Sequence, residues 1–385
     1  MQMTRPAWLE INLDKYKDNL KKIKENINPD TELLSIVKSD GYKFGAKEIV
    51  KAAKECGVSH FGVATLSEGI SIRKENPDIE ILILGYTPDY LMESAIEYDI
   101  HMACYSMDTA KALDQKAKDM GKKAGVHIVI DSGMNRIGFQ PTEESIQTIL
   151  AISQLENVEI YGMFTHFAVA DADDDFTMGQ FEKYSFVAKG LKEGGLDIPL
   201  HVSNSHATMR HREFDLTYVR PGILQYGSIE HDPAGEVFGV EFIGSIKAEI
   251  GHLKVVPEGQ GISYGLTYTT TKPTKVATLP LGYADGIPRA LSNKMSVLVN
   301  GVRCPQIGRI CMDQFMIDVT GVDCQVGDEV VLIGKQGDEE ITIEEISALV
   351  DEIPTSFVTH FNKRLPRVYI EDGKVAKVFD HFVEN

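Results

Sequence analysis

The sequence predicts an α/β fold: a closed parallel (β/α)8 barrel of TIM type over residues 1–240, followed by a mainly β C-terminal domain over residues 241–385. Three observations carry that prediction. Short apolar, β-rich runs recur through the first part of the chain, and stretches with helical periodicity and charged faces separate most of them. After about Val240 the texture changes to brief alternating segments punctuated by Gly, Pro, Asn and Asp.

The apolar runs are residues 33–38, 61–65, 79–86, 101–105, 126–131, 160–166, 201–205 and 218–221. Their hydrophobicity is continuous rather than alternating, as expected of parallel strands covered on both faces. Helical periodicity fills 46–56, 66–75, 108–120, 143–155 and 178–194. Eight strands joined this way close into a barrel, although an open doubly wound sheet fits the same alternation. Residues 8–13 and the amphipathic segment 14–27 precede the first run and lie outside that count. In the second part, 245–250, 276–282, 296–299, 315–319 and 329–334 read as strands, Asn300-Gly301 as a hairpin turn, and 342–350 as the one helical run.

Composition narrows the function. A chain of 385 residues, 43% hydrophobic, can bury the cores of two domains. Its formal charge of -18 argues against nucleic acid or an anionic membrane surface as partner, since both reward clustered Lys and Arg. Small molecules remain. No apolar run approaches the roughly 20 residues needed to span a bilayer, and the N-terminus lacks a signal peptide's apolar core. Cys56, Cys104, Cys304, Cys311 and Cys324 are odd in number, widely spaced and without a CxxC pair, so neither a disulfide framework nor a zinc site is expected. The expected compartment is reducing, the cytoplasm.

In a barrel of this class the active site forms where the strands end, and phosphate is commonly held by the loops after the last two. The first run ends in Lys38. A lysine at a strand end can form a Schiff base with a carbonyl cofactor, or can simply mark the strand's exit into solvent. The fifth run leads into Ser132-Gly133-Met134-Asn135-Arg136, the sixth ends in Thr165-His166, the seventh in Ser203-Asn204-Ser205 and the eighth in Arg220-Pro221-Gly222. Ser203 and Ser205 offer hydroxyls, and Gly222 and Ile223 offer backbone N–H groups, to a bound anion. Taken singly, the serine turn reads equally as a helix cap, His166 as a structural histidine, and Arg136 and Arg220 as ion-pair residues. Gathered on one rim, a lysine for an aldehyde, donors for a phosphate and arginines near a ring describe a pyridoxal phosphate site better than a sugar-phosphate site.

The ordered segments Val37-Lys38-Ser39-Asp40-Gly41-Tyr42, Asp131-Ser132-Gly133-Met134-Asn135-Arg136-Ile137-Gly138, Thr165-His166-Phe167-Ala168, Arg220-Pro221-Gly222-Ile223, Ser263-Tyr264-Gly265, Gly282-Tyr283-Ala284-Asp285-Gly286 and Gly308-Arg309-Ile310-Cys311-Met312-Asp313-Gln314 resemble the motif set of the alanine racemase family, over essentially the whole chain. The resemblance implies a pyridoxal 5'-phosphate-dependent amino-acid racemase, a homodimer with shared active sites, and inversion of L- and D-alanine by two bases at Cα. It implies that Lys38 carries the cofactor and serves one face, and that Tyr264 enters from the other subunit to serve the other. Tyr42, Ser205, Gly222 and Ile223 match phosphate-binding positions, Arg220 the partner of the pyridine nitrogen, and His166 a residue supporting the ring. Arg136 and Met312 match positions that bind the substrate carboxylate. No metal is implied.

The chain departs from the family pattern at several places. Val129 stands where many relatives carry a carbamylated lysine supporting the arginine, and Lys363 where a tyrosine is usual. Lys43-Phe44 and His206 also differ. A racemase of serine, ornithine, lysine or broad specificity is therefore a competing expectation. A fold-related decarboxylase and a non-catalytic pyridoxal-phosphate-binding protein stand further off.

Overall fold

The structure, a computed structural model, describes residues 3–383. The chain divides into two compact units. One comprises Lys17–Gln225 and Asp232–Val240; the other comprises the segment ending at Tyr16, Tyr226–His231 and the chain from Glu241 onward.

The first unit contains the expected closed barrel of eight parallel strands: β2 (Glu32–Ile36), β3 (His60–Val63), β4 (Glu80–Ile83), β5 (His101–Cys104), β6 (Ala124–Val129), β7 (Val158–Phe164), β8 (Leu200–His201) and β9 (Tyr218–Val219). β1 (Ala7–Asn12) lies outside it. Closure is made by β9 pairing with β2 in the register Glu32↔Tyr218 and Leu33↔Val219. Leu33, Leu34, Phe61, Val63, Ile81, Met102, Val126 and Ile128 are buried, as continuous apolar strands between a filled interior and a helical jacket must be.

Helices Ala46–Glu55, Leu66–Arg73, Met107–Met120, Glu143–Ile152 and Asp174–Glu193 fall where the periodicity predicts, and Asp89–Glu97 is a further one. Several begin at side-chain caps. Thr65 and Glu68 form a reciprocal capping box, and Ser106, Thr142 and Asp173 each accept the N–H three residues on. The last two barrel strands are shorter than expected. After β8 the chain turns at Asn204, which caps the short helix Ser205–Arg210, and after β9 it meets Pro221, which has no N–H to continue a ladder.

The second unit holds an 11-stranded sheet. Its main path runs His252–Val256, Thr274–Leu279, Phe315–Asp318, Val302–Ile307, Ser296–Val299, Glu329–Gln336, Gly244–Glu249, β1, Arg367–Glu371 and Lys374–Phe379, with Glu339–Ile341 paired to Glu329–Gln336. β1 thus joins Gly244–Glu249 antiparallel on one side and Arg367–Glu371 parallel on the other. The Asn300-Gly301 signal is a tight hairpin turn between Val299 and Val302, with φ of 50° and 75° at the two residues.

A Cβ added at Gly301 would approach nothing closer than the Gln336 carbonyl oxygen at 3.6 Å, an ordinary contact. Gly301→Ala should therefore cost only the left-handed backbone, about 1–2 kcal/mol, read as a lowered urea midpoint with unchanged slope. A change in slope, or a loss well beyond that range, would mean that the hairpin repacks.

Candidate active site

Because all eight barrel strands are parallel, their C-terminal ends share one rim, and the lysine, arginine, histidine and serine segments singled out in this unit emerge there. β2 delivers Lys38 into an unusual turn. Ser39, Asp40, Gly41, Tyr42 and Lys43 all have positive φ, between 53° and 72°, so the chain makes one left-handed helical turn. The non-glycine residues in it are strained, and local bonds hold them. Gly41 N–H donates to the Val37 carbonyl at 2.9 Å, Gly45 N–H to Asp40 O at 2.9 Å, and Ala46 N–H to Asp40 Oδ1 at 3.0 Å. Glu68 adds the outer brace: its Oε1 accepts Ser39 N–H at 2.7 Å, and its Oε2 accepts the Ala64 and Thr65 N–H groups at 2.9 and 3.2 Å.

The turn sends Tyr42 inward, buried against the loop after β9. There Ser205 Oγ accepts Gly222 N–H at 2.9 Å and Leu224 N–H at 3.4 Å. A Cβ at Gly222 would stand 2.5 Å from the Tyr42 hydroxyl and 3.6 Å from Ser205 Oγ. Gly222 is thus the one residue that lets two hydroxyls close on the backbone, while Ile223 opens a 3-10 turn, Ile223–Tyr226, whose first N–H lies at its free end. This cradle of hydroxyl and backbone donors fits a phosphate group. Ser203 does not join it: its hydroxyl donates to the Phe214 carbonyl at 3.0 Å, which corrects the expectation that both serines face the anion.

Arg220 forms the buried floor. Its Nη2 donates to the Thr165 and Val202 carbonyls at 2.7 and 2.9 Å, its Nη1 lies 3.2 Å from His201 Nδ1, and the guanidinium sits 5.5 Å from the Phe164 ring centroid. Burial pushes its pKa down to about 10, eased by Tyr184 and reinforced by Arg136, so it remains a cation and a donor. His166 beside it is held neutral: desolvation, then Arg220, Arg136 and Lys38, push its pKa down to about 3. His201 and His127, hydrogen-bonded to each other at 3.0 Å, are likewise driven well below the usual histidine range, chiefly by burial.

Arg136 rides on the loop after β6, where Asp131 Oδ1 accepts Gly133 and Asn135 N–H groups at 3.2 and 2.8 Å. The residue is exposed, and among the described residues its guanidinium has no ion-pair partner; Val129 is buried. Lys38 opens to solvent, yet desolvation by the surrounding wall and then Arg136 lower its pKa, Glu68 opposes them, and Arg220 adds to them.

Tyr264 and Met312 lie in the β unit, 70% and 51% exposed. Ser263 anchors the tyrosine turn by donating to the Arg309 carbonyl at 2.6 Å. The Met312 segment docks on the Gly282 turn, with Tyr283 N–H to Cys311 O at 3.1 Å and Ala284 N–H to Met312 O at 3.0 Å. Buried Asp285 supports that turn, accepting Gly282 N–H at 2.9 Å and a two-pronged bond from Arg5 at 2.6 and 3.2 Å. The Met312 N–H donates to no group among the described residues. Lys363 is exposed in the same unit.

Sequence reasoning missed Glu68, His201, Gln225 and the Arg5–Asp285 pair. For Gln225, Ser35 and His201 a signal exists: each is a polar residue inside an apolar run, a position occupied only when a buried partner satisfies it.

The chain matches the family model "Alanine racemase, N-terminal domain" over residues 11–230 and "Alanine racemase, C-terminal domain" over residues 243–369. It is similar to the curated alanine racemase of Clostridium novyi (strain NT), 41% identical over 382 residues, which cover 97% of this chain and 98% of that one. Among solved structures, the alanine racemase of Clostridium difficile 630 has a TM-score of 0.94 at 40% identity, covering 99% of this chain and 100% of the other. That of Bartonella henselae, with covalently bound pyridoxal phosphate, has a TM-score of 0.85 at 27% identity and covers 95% and 99%.

The lowered Lys38 pKa means that its reactive neutral amine appears at lower pH than for a free lysine, whose pKa is 10.5. Acylation of Lys38 across a pH series, read by peptide mass, should show a midpoint below that of the surface lysines. Glu68→Gln removes a raising influence and should move the midpoint further down; Arg136→Gln should move it up. Opposite shifts would sink this electrostatic account.

Proposed function

The chain belongs to the alanine racemase family, and on that premise we propose that it is a pyridoxal 5'-phosphate-dependent racemase that interconverts L- and D-alanine by two-base proton transfer at Cα. The observation that carries this reading is the convergence, on one barrel rim, of a lysine with a lowered pKa, a buried guanidinium and the Tyr42–Ser205–Gly222 cradle.

Lys38 would hold the cofactor covalently, Tyr42, Ser205, Gly222 and Ile223 its phosphate, Arg220 its ring nitrogen, and His166 would support the ring. Bound there, the cofactor supplies the electron sink that makes a substrate Cα proton labile. Arg220 stays a donor because its pKa, at about 10, keeps it protonated near neutrality. Arg136 and the Met312 N–H would orient the substrate carboxylate, a charge-assisted pairing suited to an exposed guanidinium and a free N–H. Lys38 Nζ moves the proton on one face of Cα and the Tyr264 hydroxyl moves it on the other, since inversion needs two groups on opposite sides.

We read the enzyme as a homodimer in which the partner subunit's Tyr264 completes each barrel mouth. The exposure of Tyr264, Leu266, Tyr283 and Met312 supports a covered face there. No helix among the described residues is long and apolar enough to cross a membrane. The five cysteines are free, which supports a cytoplasmic enzyme.

Incubating the cofactor-loaded protein with single enantiomers of alanine, serine, ornithine and lysine, and resolving products by chiral chromatography, tests the reading. The highest kcat/KM is expected for alanine; carbon dioxide release, or no inversion of any of the four, would overturn it.

Tyr264→Phe should retain the cofactor yet slow inversion about 10²–10⁴-fold while Lys38 still exchanges the Cα proton of one enantiomer. Because the sites are shared, mixing Lys38→Ala subunits with Tyr264→Phe subunits should regenerate one intact site per mixed dimer. An inactive mixture of demonstrably mixed dimers would place both bases in one chain.

A further inference from the structure

We propose that Gln225 is a positioning residue that fixes the distance between the Lys38 strand and the phosphate cradle. This rests on the reading that the two hold opposite ends of one cofactor. Gln225 is fully buried in the turn Ile223–Tyr226, between the apolar Leu224 and Tyr226, where nothing in the hydrophobic pattern calls for an amide. Its Nε2 donates to the Ile36 carbonyl at 2.8 Å and to the Pro221 carbonyl at 2.9 Å. Its Oε1 accepts the Ser35 hydroxyl at 2.6 Å, and its backbone carbonyl accepts Asn19 Nδ2 at 3.3 Å. Ser35 and Asn19 are themselves fully buried.

The need for this amide follows from the barrel's closure. β2 and β9 share the register pairs Glu32↔Tyr218 and Leu33↔Val219, and Ile36 N–H still reaches the Pro221 carbonyl at 3.3 Å. In a parallel ladder the Ile36 carbonyl would take the N–H of Ile223, two residues beyond Pro221, but there the chain has left the strand path for the turn Ile223–Tyr226. A buried carbonyl is costly without a donor, and past the end of β9 the strand ladder does not provide one. Gln225 supplies that donor with one amide hydrogen and grips Pro221 with the other, while Ser35 fixes which way the amide faces.

Ile36 stands two residues before Lys38, and Pro221 one residue before Gly222. One side chain thus bridges the carrier of the amine and the carrier of the cradle. An apolar residue of similar size would fill the space but leave both carbonyls to the backbone alone, and the two carriers would lose their common strut.

A ligand with an aldehyde at one end and a phosphate at the other gains by engaging both half-sites at once, and that gain depends on their separation. Loosening the strut should therefore penalise the bridging ligand and spare ligands that use one half-site. The experiment measures equilibrium binding of pyridoxal 5'-phosphate, pyridoxal and inorganic phosphate by calorimetry to the full-length protein, to Gln225→Leu and to Ser35→Ala, with circular dichroism to verify folding.

For Gln225→Leu, pyridoxal phosphate affinity should fall roughly 10- to 100-fold, the worth of one or two buried hydrogen bonds, with pyridoxal and phosphate binding unchanged. Ser35→Ala, which removes only the partner that orients the amide, should show the same selective pattern with smaller loss, and decides the matter if Gln225→Leu does not fold. Unchanged pyridoxal phosphate affinity, or parallel loss of all three ligands, would overturn the role of Gln225. Failure of the unsubstituted protein to bind pyridoxal phosphate would instead overturn the parent reading.

Discussion

The seam between β9 and β2 is the constraint on which the rest of this architecture rests. Closing a parallel barrel makes first and last strands neighbours, although nearly the whole unit separates them in sequence. Here that neighbourhood brings a lysine-bearing turn against a glycine-bearing loop, and the Tyr42 hydroxyl comes to rest where a Gly222 side chain would otherwise stand. The same strand order left open at this seam would put the two segments at opposite edges. The chemistry of the rim is thus a product of topology first and of residue identity second.

The rim's electrostatics follow from the same crowding. Lys38, Arg136 and Arg220 place three cationic groups close enough that Arg136 perturbs the titration of the other two and of His166. On a chain of net charge -18 this is a local reversal of sign, suited to an anionic ligand. The buried histidines answer it by staying neutral. Since the unfolded chain takes up protons at histidine near pH 6.5 and the folded one does so only at lower pH, each buried neutral histidine withdraws stability as pH falls below that value.

How much of this was legible in the sequence depended on the range of the interaction. All eight barrel strands were visible because burial on both faces leaves continuous apolar runs, and Asn300-Gly301 was visible because a two-residue turn is a local matter. The rim residues could be ranked because barrel geometry tells strand ends from strand middles. Asp89–Glu97 was overlooked, and so were the strands His252–Val256, Val302–Ile307, Arg367–Glu371 and Lys374–Phe379. Those strands carry charged, half-exposed residues, so their strandedness comes from pairing rather than composition. Glu68, Gln225 and the Arg5–Asp285 pair were hidden for the same reason: their partners lie 29, 189 and 280 positions away in sequence.

The left-handed turn after Lys38 has an implication for engineering. Four of its five residues carry side chains and sit in a conformation costing about 1–2 kcal/mol for each one, so no isolated peptide of this sequence would hold it. The geometry belongs to the partners that brace the loop from outside, Val37, Gly45, Ala46 and Glu68, rather than to the loop itself. Transplanting residues 38–43 into another barrel would carry the letters without the shape, and a working graft would have to bring along the start of the neighbouring helix as well.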